Sequence, residues 1–157
     1  MSVDLRGFEY GAEPVLQRRQ WQLDAAAAEL GKAVQAVTAG QSRLAALREQ
    51  LAMQAEASSA PLSGRMDPAA HSRALLWLAS LQARIEQARD ELRGLEARRD
   101  DVLQQLRVVQ GQVDALETHR EDAKQEFGAQ AAAHAATEAD RDWLARRSSQ
   151  VSMRRTS

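Results

Sequence analysis

Cysteine is absent from the 157 residues, which removes disulfides, thiolate nucleophiles and cysteine-based metal sites together. Aromatic side chains are scarce: three tryptophans, two phenylalanines and one tyrosine. A compact globular core of this length needs more large side chains than that. Neither sign of charge prevails, with 21 basic residues against 22 acidic ones mixed along the chain. Such a balance creates no field that would draw in nucleic acid. No stretch approaches the ~18 consecutive apolar residues of a membrane span. The first ten residues lack the apolar segment of a signal peptide, so a cytoplasmic location is expected. The eight glycines are scattered and form no phosphate-cradling loop.

What the chain has in abundance is helix-forming side chains. Ala, Glu, Lys, Leu and Arg make up 82 of the 157 residues, 31 of them alanine, a composition typical of coiled coils and long helices. The three prolines divide the chain. Pro14 sits where a helix can begin, at a first-turn position that tolerates a missing N–H. Pro61 lies in the only loop-like central run, residues 58–66. Pro68 follows Asp67, an N-cap residue before proline at the first helical position. The spacing predicts an N-terminal extension over 1–12, a helix over 13–58, a loop over 59–67, a second helix over 68–147 and a fraying tail over 148–157.

Both helices carry heptads. The first has Leu16, Leu23, Leu30, Val37, Leu44 and Leu51 at intervals of seven. The second has Leu78, Leu81, Ile85, Ala88, Leu92 and Leu95, then Arg99, Val102, Leu106, Val109, Val113 and Leu116. A seam sustained this long calls for a supercoiled partner helix. The fold class expected is therefore all-α, a long antiparallel two-helix coiled-coil hairpin with an overhanging second helix. The expected register sets Leu16 opposite Val109, Leu23 opposite Val102, Leu30 opposite Leu95, Val37 opposite Ala88 and Leu44 opposite Leu81. Its alternate layers set Leu47 against Leu78, Gly40 against Ile85, Ala33 against Leu92 and Ala26 against Arg99, small residues facing large ones. In that register the apolar stripe and the partner helix both run out near Leu116, leaving 117–147 as an overhang of roughly 45 Å.

Catalytic chemistry finds no constellation. His71, His119 and His134 are far apart, and His134 with Glu138 makes an i, i+4 pair without a third ligand. Asp100 with Asp101, and Asp140 with Asp142, read as surface charge. The outward apolar residues carry more information. With Leu78 and Leu81 in the seam, Leu76 falls at the outermost position of its heptad and Trp77 on the flank, next to Leu75. Trp21 is outermost on the first helix and Trp143 points outward on the second. Tryptophan anchors interfaces out of proportion to its abundance, so Leu76 and Trp77 form a candidate partner surface; the plain alternative is ordinary surface exposure. Arg146, Arg147, Arg154 and Arg155 read as solubilising charge.

A cysteine-free protein of this size, with a shorter first helix, a loop near residue 60 and a longer second helix, resembles the stalk subunits of type III export ATPases. These are the flagellar FliJ proteins and their injectisome counterparts of the YscO kind. The resemblance covers residues 13–147 and rests on architecture, together with the charged, alanine-rich runs His119-Arg-Glu-Asp-Ala-Lys-Gln-Glu-Phe127 and Ala139-Asp-Arg-Asp-Trp143. The chain departs from flagellar members at its start, where Gly7, Gly11 and Pro14 delay the first helix. The resemblance implies a non-enzymatic, cofactor-free bacterial protein that inserts its termini into a hexameric export ATPase. It also implies contacts with the export gate and with secretion chaperones, and only peripheral association with the membrane complex. The matching ATPase end is residues 1–20 with 117–147, and its expected contact residues are Arg120, Phe127, Arg141, Trp143 and Leu144. The gate- or chaperone-facing surface is expected to include Leu76 and Trp77. A coiled-coil chaperone or scaffold, or a secreted structural component of a bacterial secretion system, accounts for the same heptads.

Overall fold

The computed structural model describes residues 5–59 and 67–155, the last two by their backbone alone. Two helices account for nearly all of them: α1, Glu13–Ser59, and α2, Pro68–Arg155. No strand occurs among the described residues, so the fold is all-α. Of the expected loop over 59–67, residues 60–66 lie outside the described residues.

The helix starts follow local chemistry. The Ala69 N–H donates to Asp67 Oδ1 at 3.0 Å, so Asp67 caps the otherwise unsatisfied first turn and Pro68 loses no needed donor. Glu13 places an acid in the first turn of α1, favourable at the positive end of the helix dipole. α2 runs past the expected end at 147 to Arg155. The serine hydroxyls of that last stretch bond back to the helix: Ser148 and Ser149 donate to the Ala145 carbonyl and Ser152 to that of Ser149, all at 2.9–3.0 Å. Serines satisfied in this way stay compatible with a helix.

Contacts divide the chain into two units, Trp21–Gln110 and Met1–Gln20 with Gly111–Ser157. In the first, stretches of α1 and α2 run antiparallel and bury Ala33, Val37, Leu44, Leu81, Ile85, Ala88 and Val102. All seven are seam positions of the heptads. Leu44, Ile85 and Ala88 form the centre of one cluster, against which Leu47, Leu51 and Leu92 pack.

The register within this unit differs from the expected one by a full heptad. Gly40, expected across from Ile85, faces Leu92, whose Cδ1 would come 3.2 Å from a Cβ built on that glycine. Leu44, expected across from Leu81, clusters with Ile85 and Ala88, and Arg43 pairs with Glu91 at 3.1 Å. The reason is that a seven-residue slide leaves every seam position in the seam. Periodicity cannot choose between the two alignments. The slide draws Leu51 into the cluster and gives Arg43 an acidic neighbour, gains that depend on the ends of the pattern.

In the other unit the N-terminal segment folds onto α2. The Phe8 N–H donates to the Leu5 carbonyl at 3.1 Å and Gly7 has φ +83°. That is a tight turn with its left-handed position filled by the residue that tolerates it best. The turn sends Phe8 edge-on against Phe127, with centroids 5.6 Å apart. The Tyr10 hydroxyl lies 2.8 Å from His119 Nδ1 and donates to the Leu116 carbonyl at 3.4 Å. Leu16 and Val113 are buried. Covered positions on α2 continue to residue 131. The exposed stretch therefore begins at 132 rather than at 117: an irregular segment, invisible to a heptad count, covers the helix where no partner helix was expected.

Candidate partner-binding surfaces

The candidate residues fall into three environments. Leu76 is 72% exposed and Trp77 44%, with Leu75 similarly open beside them. They sit near the start of α2 because Asp67 and Pro68 fix where its heptads begin. Leu78 and Leu81 take the seam, which turns Leu76 outward. The Arg84 guanidinium lies 5.3 Å from the centre of the Trp77 ring, a cation–π contact that steadies the indole and sets a positive charge beside it.

Arg120 and Phe127, expected to face the ATPase, have partners within the chain. Arg120 forms an ion pair with Glu13 at 3.3 Å. Phe127 receives Phe8 as described. Near them Gln20 donates to Glu117 at 3.4 Å. These side chains hold the N-terminal segment and the start of α1 on α2. Two of the chain's six aromatic residues, Phe8 and Tyr10, mark that docking in the sequence.

Arg141, Trp143 and Leu144 lie in the third environment, residues 132–153, where every residue is exposed. Trp143 is 54% and Leu144 58% exposed. Arg147 places its guanidinium 5.0 Å from the centre of the Trp143 ring. Val151 continues the spacing of seven from Leu144 and is open as well. Trp21, expected outermost on α1, is 71% exposed.

Glu29 accepts from Lys32 at 2.9 Å, and that bond, helped by the lysine's charge, holds its carboxyl below the usual carboxylate range. The pair lies on an exposed face. Among the described residues no three His, Asp or Glu side chains come together to hold a metal ion. His134 and Glu138 both lie in the exposed stretch.

No family model, curated protein or solved structure matches the chain.

Proposed function

We propose that this chain is a non-enzymatic coiled-coil stalk of a type III secretion apparatus, of the injectisome or flagellar kind. It inserts its termini end into a hexameric export ATPase and links that ring to the export gate and to substrate chaperones. The observation that carries the reading is the exposed prolongation of α2 over residues 132–153, which bears Arg141, Trp143 and Leu144. A single helix about 10–12 Å across is narrow enough to enter the pore of a protein ring, and its mixture of apolar and charged side chains suits a lining contributed by several subunits. Under this reading Arg120 and Phe127 brace the N-terminal segment below the inserted helix. Leu76 and Trp77, with Leu75 and Arg84, supply the second surface, for the gate or a chaperone. The protein acts in the cytoplasm at the foot of the secretion complex.

Affinity co-purification from the native cell, with the captured proteins identified, tests both surfaces. The full chain is expected to bring down a hexameric export ATPase together with a gate protein or chaperone. Leu76→Ser combined with Trp77→Ala is expected to keep the ATPase and lose the second partner, with a melting curve shifted by less than about 1 kcal/mol of stability. Capture of no export ATPase by the full chain contradicts the reading.

A further inference from the structure

The exposed stretch of α2 carries a face that is complementary to itself. Asp140, Trp143, Leu144, Arg147 and Val151 lie at i, i+3, i+4, i+7 and i+11 and so share one side of the helix. That side continues the seam that α2 uses earlier: Leu144 and Val151 keep its spacing of seven, beyond the last position that the N-terminal segment covers. Trp143, Leu144 and Val151 are each more than half exposed. Asp140 and Arg147 stand at equal distances on either side of the Trp143–Leu144 step, one negative and one positive. Arg147 already leans over the Trp143 ring, which sets its charge at the border of the apolar patch.

We infer that a second copy of this chain docks here, antiparallel, about a two-fold axis at Trp143 and Leu144. In that arrangement the two Trp143–Leu144 steps pack together. Asp140 of each copy meets Arg147 of the other, so the two-fold makes the same ion pair twice. Parallel pairing would set Asp140 against Asp140 and Arg147 against Arg147, which repels. A basic or acidic peptide would satisfy only one end of the face. The patch is small, so the association is weak, with a dissociation constant on the order of ten micromolar, as befits a transient interface below the standard size. This pairing stands whichever partner the chain serves. Because it uses Trp143 and Leu144, a paired chain cannot at the same time offer them to an ATPase ring.

Sedimentation equilibrium of the full chain at low salt, up to roughly ten times that dissociation constant and beyond, reads the pairing directly. The mass is expected to double with concentration. Asp140→Arg alone and Arg147→Asp alone are each expected to weaken association at least tenfold, and the two together to restore most of it. The lack of native cysteine makes a second readout clean: Leu144→Cys is expected to cross-link between copies, and Val151→Cys, far from its own counterpart in an antiparallel pair, is not. A chain that stays monomeric throughout, a swap that restores nothing while helix content is unchanged, or equal cross-linking at both positions overturns the proposal.

Discussion

Gly40 and Gly94 are both helical glycines, yet their surroundings set them apart. A Cβ at Gly94 meets nothing within 4 Å, whereas one at Gly40 comes 3.2 Å from Leu92 Cδ1 and from Leu95 Cδ1. Alanine in place of a mid-helix glycine gains about 1 kcal/mol from backbone entropy alone. Gly94→Ala is expected to gain that amount in full. Gly40→Ala is expected to gain clearly less, because two leucine ends must give way by a few tenths of an ångström in a close-packed seam. Urea denaturation of the two variants side by side checks the difference; equal gains would mean that Gly40 does not face those leucines. Gly40 is therefore a packing residue, and its smallness lets two leucines of the other helix close over it. The sequence already shows it at a seam position, but which leucines it receives depends on the alignment of the helices.

At the scale of elements, helix identity and most helix limits were legible. Asp67 and Pro68 announce the start of α2, and the heptads announce the seam, since both are local signals written in adjacent residues. The alignment of one helix on the other was not legible, because a pattern with period seven is unchanged by a slide of seven. The docking of residues 5–10 on α2 escaped for a related reason: the segment is irregular, and a turn built on Gly7 has no period to detect. The same gap hid the roles of Arg120 and Phe127, which look like open seam positions until Glu13 and Phe8 are brought to them. The alignment can be tested by cross-linking within one chain. Leu44→Cys with Ala88→Cys is expected to form an intramolecular bridge under mild oxidation. Leu44→Cys with Leu81→Cys, the pair that faces in the alignment a heptad away, is not. Bridging only between chains would contradict the antiparallel packing of Trp21–Gln110.

Taken as a whole molecule, the chain combines balanced charge with well-satisfied helices and two clusters of outward apolar side chains. Among the described residues no helix is long and apolar enough to cross a membrane. Exposed apolar side chains gather near the start of α2, at Leu75, Leu76 and Trp77, and along residues 132–153, at Trp143, Leu144, Val151 and Met153, while others such as Trp21 and Met53 stand singly; neither cluster serves the packing of its own unit. Leu76 could be placed on the outside from heptad phase alone, and its exposure follows that phase. The position of the second cluster could not, because the end of the covered stretch is set by Leu5, Phe8 and Tyr10 rather than by the heptads. The proposed stalk role assigns work to both clusters, and the stretch over 132–153 is where it is most exposed to test. The most direct measurement is equilibrium binding of the purified chain to the export ATPase hexamer of the same cell, set against a chain that ends after Ala133. The shortened chain keeps Phe127, Arg120 and their partners, so it is expected to melt as the full chain does. Its affinity for the ring is expected to fall by about tenfold or more, since it lacks the tryptophan and leucine anchors. Equal binding by the two chains, or no binding by either, would contradict the stalk role.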